Sequence, residues 1–108
     1  MNEILNKLYK LIHTPLVTPY NLLENAKINT YNYVKYYKSI NGLVCEMECE
    51  YSNLKEKFFY HFDENDYLQI IVRKSSDDLE EIIYSRDSEI ESLLELHNIN
   101  NSKAKVAL

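Results

Sequence analysis

The chain has 108 residues, of which 45% are hydrophobic, and its 12 basic and 17 acidic residues give a formal net charge of -5. This length and apolar content suit one small domain with a modest core, and no apolar run is long enough to span a membrane. The acidic balance disfavours direct binding to nucleic acid, because phosphate backbones repel it and counterion release needs clusters of basic residues.

The N-terminal segment is predicted to form two helices. Residues 2–12 place Ile4, Leu5, Leu8, Leu11 and Ile12 on one helical face. The early acid and the polar residues around it are unlike a secretory signal peptide, so a cytoplasmic location is expected. Thr18-Pro19 is typical of a helix start and predicts a short helix over 19–27 that buries Leu22, Leu23 and Ala26.

The clearest pattern of the chain is the stretch Leu43–Tyr51, which alternates between an apolar and an acidic side without a break. Period two indicates a strand with one buried and one wet face. Residues 31–40 are predicted to pair with 43–51 through a two-residue turn at Asn41-Gly42. That register places Tyr36 opposite Met47 and Val34 opposite Cys49 in the core.

A second hairpin is predicted from residues 57–63 and 67–74 around the turn Glu64-Asn65-Asp66. A three-residue loop places Phe62 opposite Leu68, and it continues with Tyr60 opposite Ile70 and Phe58 opposite Val72. This register is preferred because it collects large apolar groups on one side of the hairpin.

Residues 76–97 have two interpretations. A fifth strand over 79–85 followed by a helix over 88–97 is favoured, because Ser88 and Glu91 form a capping-box pattern and Ile82-Ile83-Tyr84 suits a strand. The alternative is one long helix. Residues 98–108 are expected to be a flexible tail, so that a single domain covers 1–97. The predicted fold class is α+β: an N-terminal helix, an antiparallel β-meander of about four to five strands, and a C-terminal helix packed on one face.

The candidate binding site is the wet face of the first hairpin. The predicted register places Tyr37 opposite Glu46, Lys35 opposite Glu48 and Tyr33 opposite Glu50, which makes an acidic face lined by tyrosines. One interpretation is an ordinary solvated face. The other is a partner-binding surface, because tyrosines give wide contact area and carboxylates select basic partners.

Catalytic, cofactor and metal sites are not expected, so the chain is not predicted to be an enzyme. Cys45 and Cys49 would lie about 13 Å apart on a strand, too far to share a metal or form a mutual disulfide. His61 could act as a base only if Glu48 or Glu50 approached it. The chain has a single glycine, which rules out a glycine-rich phosphate loop.

Two functions follow from these observations. The first is a small acidic protein-binding module that acts as an inhibitor, immunity protein or accessory factor. In size and acidity the chain is similar to phage and plasmid inhibitors such as anti-CRISPR proteins, a likeness of composition that no motif carries. The second is a small-ligand-binding or enzymatic domain of cystatin-like architecture, with a pocket between helix and sheet lined by Tyr36, Tyr60, His61 and Tyr84. A homodimer through an edge strand is a further expectation.

Overall fold

The computed structural model describes residues 3–13 and 17–106, and it describes only the backbone of His13 and of residues 100–106. The elements in chain order are α1 (Glu3–His13), α2 (Pro19–Leu22), a 3₁₀ turn (Leu23–Lys27), β1 (Tyr31–Ser39), β2 (Gly42–Tyr51), β3 (Leu54–Asp63), β4 (Leu68–Lys74), β5 (Glu80–Ser85) and α3 (Arg86–Val106). No helix in these ranges is long and apolar enough to cross a membrane.

The five strands form one antiparallel sheet in the order β1-β2-β3-β4-β5, with each strand paired to its neighbour in sequence. The predicted α+β meander between two terminal helices is therefore confirmed. The two edges are β1 and β5, and the pairing of each is shifted once, at Asn32 in β1 and at Ile83 in β5. Such irregularities make an edge strand less able to pair with another chain.

The main core lies on one face of the sheet. Its buried members come from the central strands and from α2, and they are Leu22, Cys45, Met47, Phe62 and Leu68. The burial predicted for Leu22 is confirmed, whereas the burial predicted for Leu23 and Ala26 is wrong, because both are exposed. The single turn of α2 presents only Pro19 and Leu22 to the core.

The N-terminal and C-terminal helices pack against each other beside this core. Leu8 and Leu11 of α1 are buried, and Arg86 at the start of α3 donates to the backbone carbonyls of Leu11 (3.4 Å) and Ile12 (3.2 Å). Arg86 also lies 5.2 Å from the ring centroid of Tyr67. One side chain thus ties the chain's two terminal helices to the β3–β4 hairpin.

The last part of the chain is a strand followed by a helix, as the favoured interpretation predicted, and the single long helix is wrong. The helix bounds nevertheless differ from the prediction of 88–97. The helix α3 begins at Arg86 and continues to Val106, so the backbone of 98–106 is helical, and 107–108 lie outside the described residues. Apolar periodicity fails beyond residue 97, which is why the sequence pattern predicts an earlier end.

The register of the first hairpin differs from the prediction by two residues. Ser39 pairs with Gly42, so the turn is Ile40-Asn41, and Val34 lies opposite Met47 and Tyr36 opposite Cys45. Since side chains alternate with period two, a shift of two leaves residues 33–39 on their predicted faces and changes only their partners. The irregularity at Asn32 places Tyr31 on the core face, opposite Cys49.

The second hairpin begins in the predicted register and then leaves it. Phe62 lies opposite Leu68, as predicted, but Tyr60 lies opposite Ile71 rather than Ile70. Beyond the irregularity at Gln69, Phe58 lies opposite Arg73 rather than Val72. One extra residue in β4 moves every later residue of that strand to the opposite face from the one predicted.

Candidate functional site

The sheet face opposite the core, called the open face below, is organised in rows that cross the strands. Each row is defined by register partners. The first is aromatic and apolar, the second places a carboxylate among apolar groups, and the third is almost wholly charged. In order, the rows are Tyr37-Val44-His61-Ile70, which ends at Ser85 of β5, then Lys35-Glu46-Phe59-Val72-Ile82 and Tyr33-Glu48-Lys57-Lys74-Glu80, and Glu50-Lys55 lies beyond the third.

Glu46 is the centre of a hydrogen-bond network on this face. Its carboxylate accepts a hydrogen bond from the Tyr33 hydroxyl at 2.6 Å and one from the Tyr37 hydroxyl at 3.2 Å. The Lys35 Nζ lies 3.7 Å from the same carboxylate and 5.5 Å from the Tyr33 ring centroid. The two-residue shift in register produces this arrangement, because it places Glu46 opposite Lys35 and diagonally between the two tyrosines.

Glu46 is buried, with a relative exposure of 9%, and yet it is held in its charged form. Burial by itself raises the pKa of a carboxyl group. Here the hydrogen bonds from Tyr33 and Tyr37 and the charges of Lys35 and Lys57 outweigh burial, so the pKa of Glu46 lies below its ordinary value. Burial and the hydrogen bond to Glu46 raise the pKa of Tyr33, and burial and the negative charge of Glu46 raise the pKa of Tyr37. The tyrosines are therefore protonated donors and Glu46 is an ionised acceptor.

The lowered pKa of Glu46 predicts acid sensitivity. In the native state this group binds fewer protons than in the unfolded chain, so its stabilisation is present above the unfolded pKa of about 4.3 and is lost as the pH falls through the lower, folded value. Denaturant titrations from neutral pH down to about pH 3 should show a smaller fall in the unfolding free energy for Glu46→Gln than for the wild type. If the unfolding free energy falls equally with pH in the two proteins, Glu46 does not have a lowered pKa in the native state.

The charged row is not acidic as a whole. Lys57 lies opposite Glu48, Lys55 lies opposite Glu50, and Glu80 lies opposite Lys74. A shallow groove of 230 Å³ in this region is lined by side chains of both signs, namely Glu48, Lys55, Lys57, Lys74, Ser75, Ser76 and Asp78. On the described part of the face the lysines 35, 55, 57 and 74 equal the glutamates 46, 48, 50 and 80 in number.

Lys35 was predicted on this face, whereas the lysines of β3 and β4 were not, because the sequence pattern pairs β2 only with β1. The signal was present in the stretch Leu54-Lys55-Glu56-Lys57, where lysines recur at every second position as glutamates do in β2. The predicted site residues Tyr33, Lys35, Tyr37, Glu46, Glu48 and Glu50 do share one face. Glu46, however, is enclosed within it, and Glu50 accepts a hydrogen bond from Asn32 Nδ2 at 3.2 Å.

The aromatic end of the open face carries a shallow apolar depression of 280 Å³. All of its lining residues belong to strands or to the β1–β2 turn, and they are Ser39, Asn41, His61, Phe62, Gln69, Ile70, Val72 and Ile82. Ile82 is 63% exposed and Tyr37 is 41% exposed. Nearby Val44 is almost fully buried although its side chain is on this face, since the larger side chains of Tyr37 and His61 flank it.

The pocket proposed between helix and sheet is not formed by its four predicted residues, because Tyr36, Tyr60 and Tyr84 pack against the core while His61 lies on the other face. His61 lies on the open face, while Tyr36 and Tyr60 lie on the core face opposite Cys45. Tyr36 and Tyr84 line separate clefts. His61 lies opposite Val44, about 13 Å along the strand from Lys57, the partner of Glu48. The described geometry therefore does not pair His61 with Glu48 or Glu50.

The two cysteines are both free, with Cys45 buried and Cys49 half-buried on the core face. Burial raises the pKa of the Cys45 thiol, which leaves it neutral and weakly reactive. Within the described ranges, no group of three or more histidine, cysteine or acidic side chains is arranged to hold a metal ion.

Comparison of the chain with protein-family models, with curated proteins and with solved structures found no match.

Proposed function

We propose that this protein is a small acidic protein-binding module that acts as an inhibitor or accessory factor by docking its open face on another protein. The observation that carries the proposal is the position of Tyr33 and Tyr37. Both lie on a broad sheet face, and the buried carboxylate of Glu46 holds both hydroxyls.

Two physical features support binding at this face. Tyrosine supplies a large contact area with few rotatable bonds, and interface hot spots are rich in it. A ring that is already hydrogen-bonded in place loses less side-chain freedom on binding, so more of the contact energy contributes to affinity. The apolar depression beside Tyr37 adds a concave surface of 280 Å³ that an apolar side chain of a partner can fill.

The charges of the open face contribute less to binding in this proposal than the three glutamates of β2 alone would predict. The net charge of -5 attracts a basic partner from a distance and speeds the encounter. At the face itself the lysines of β1, β3 and β4 offset the glutamates, so shape and ring contact decide affinity. We propose a cytoplasmic protein of the phage- or plasmid-encoded kind, non-enzymatic and without a cofactor.

The test is capture of a partner with a photo-crosslinking phenylalanine analogue at position 37, with the same analogue at position 51 as the matched control. Tyr51 is 74% exposed but lies at the far end of β2. We expect one protein to be crosslinked from position 37 and not from position 51. Equal crosslinking from both positions would contradict docking through the open face.

Measuring the affinity for the purified partner then distinguishes contact with the open face from the effect of the total net charge. Glu48→Lys with Glu50→Lys places two longer side chains of opposite charge beside the docked Tyr33 and should weaken binding at least about tenfold. Glu91→Lys with Glu95→Lys makes the same change in net charge on exposed positions of α3 and should weaken binding much less. Equal losses would show that only the total charge matters.

A further inference from the structure

A further concave site lies on the core side of the molecule, where α2, the β1–β2 hairpin and the β3–β4 turn meet. It is a cleft of 320 Å³ lined by Pro19, Tyr20, Leu23, Tyr36, Leu43 and Asp66. Tyr20 is 76% exposed and Leu23 is 58% exposed. Two aromatic rings, apolar side chains and a single carboxylate therefore face the same small space.

Hydrogen bonds fix the walls of the cleft. The Tyr36 hydroxyl donates to the Pro19 carbonyl at 2.7 Å, which joins the sheet to the start of α2. Thr18 and Asn21 cap this helix start, with the Thr18 backbone N–H and hydroxyl donating to Asn21 Oδ1 at 2.9 and 3.0 Å. The Tyr36 ring is thus held in place on one side of the cleft, and Tyr20 on α2 forms the other side.

Asp66 gives the cleft its charge. It lies in the β3–β4 turn in a left-handed conformation, with φ at 66°. The neighbouring Asp63 carboxylate is used within the turn, since it accepts from the backbone N–H groups of Asn65 and Tyr67 at 2.9 and 3.0 Å. Asp66 instead lines the cleft. The nearest cation by register is Lys38, which is exposed opposite Leu43 and does not line the cleft.

We propose that this cleft binds an arginine side chain of the protein partner, with the apolar stem against Leu23 and Leu43 and the guanidinium at Tyr20, Tyr36 and Asp66. This deepens the proposed function and rests on it, because it names an anchor residue of the partner. The cleft and the apolar depression of the open face both border the β1–β2 turn, at Leu43 and Asn41, so a partner that covers this end of the sheet reaches both. A planar guanidinium stacks on aromatic rings and pairs with a carboxylate, and its carbon stem covers apolar surface. A partner carrying such residues also suits a chain with a net charge of -5.

The first test needs no partner. Benzamidinium mimics the guanidinium group, and benzamide has the same ring and nearly the same shape without the charge. We expect benzamidinium to shift the backbone amide resonances of residues 20, 23, 36 and 66 and to bind about tenfold more tightly than benzamide. Equal binding of the two probes, or shifts elsewhere in the chain, would overturn the proposal.

Variants of single residues test whether the preference for benzamidinium over benzamide arises in the cleft. Asp66→Asn should abolish the preference for benzamidinium, and asparagine tolerates the left-handed backbone. Glu64→Gln makes the same charge change in the same turn but outside the cleft, and it should keep the preference. Tyr20→Ala should weaken the binding of benzamidinium, whereas Tyr51→Ala, at a similarly exposed ring, should not.

The purified partner provides the second test. Asp66→Asn should weaken the complex about tenfold and Glu64→Gln should not. A complex that depends on Tyr37 but is indifferent to Asp66→Asn would overturn the arginine anchor and leave docking through the open face intact. If no partner is captured at position 37, the proposed function fails, and the comparison of benzamidinium with benzamide still decides the cation preference of the cleft.

Discussion

Replacing Glu46 with alanine is expected to lower the unfolding free energy by about 2 kcal/mol, the largest effect of any acidic residue on the open face. The carboxylate is buried and accepts the hydroxyl protons of Tyr33 and Tyr37. Its removal leaves the half-buried hydroxyl of Tyr33 without an acceptor, which costs about 1–3 kcal/mol for a buried donor. Tyr37 is more exposed, and its hydroxyl can turn to water. Lys35 is largely exposed, and its ion pair contributes little.

The matched control is Glu48→Ala, which makes the same change one step along the same face of β2. Glu48 is less buried than Glu46, and its loss should change stability by less than about 0.5 kcal/mol. A double-mutant cycle of Glu46→Ala with Tyr33→Phe should give a coupling energy of about 1 kcal/mol. Chemical denaturation monitored by circular dichroism measures all these quantities. A Glu46→Ala protein as stable as Glu48→Ala would show that the network contributes nothing.

Replacing Gly42 with alanine is expected to destabilise the protein by about 3 kcal/mol. A methyl group at this position would lie 2.3 Å from the Phe62 carbonyl oxygen and 2.7 Å from the Asp63 carbonyl carbon. Both are backbone atoms of β3, so the strand itself must move to make room. The backbone φ of 155° at Gly42 adds strain for any residue with a Cβ.

The neighbouring turn residue provides the control for this prediction. Asn41 is exposed and has no positive φ, so Asn41→Ala should change stability by no more than about 0.5 kcal/mol. Thermal unfolding of the two variants beside the wild type measures the difference. If Gly42→Ala unfolds at the same temperature as Asn41→Ala and the wild type, β2 does not approach β3 closely at this point.

Gly42 also explains why the first hairpin departs from the predicted register. An Asn-Gly pair favours a turn at those two residues when only the hairpin is considered. In the folded sheet Gly42 lies within β2, opposite both Ser39 and Asp63, and the space left by β3 admits only glycine. The contact that selects the register is therefore with a strand that the hairpin pattern does not contain.

The register of the second hairpin also depends on a contact that the alternating pattern does not contain. Phe62 and Leu68 lie next to the turn, and local turn geometry pairs them as predicted. The extra residue Gln69 carries a side chain that donates to Asp63 Oδ2 at 3.0 Å. A single side-chain hydrogen bond leaves no mark on the alternation of apolar and polar residues. The partners of Tyr60 and Phe58 in β4 therefore could not be predicted from alternation alone.

The sequence by itself determined the order of helices and strands, the meander, and the face on which the residues of β2 and residues 33–39 of β1 lie, because these depend on local periodicity and on neighbouring turns. Only the tertiary structure decided which charges meet. Glu46 became the acceptor for Tyr33 and Tyr37 through a two-residue shift in register, and Glu48 and Glu50 gained lysine partners from β3. The carboxylate of Asp66 reached a cleft built by α2 and β1. Contacts between segments distant in sequence depend on how strands and turns close on one another, and no periodic pattern within one segment encodes them.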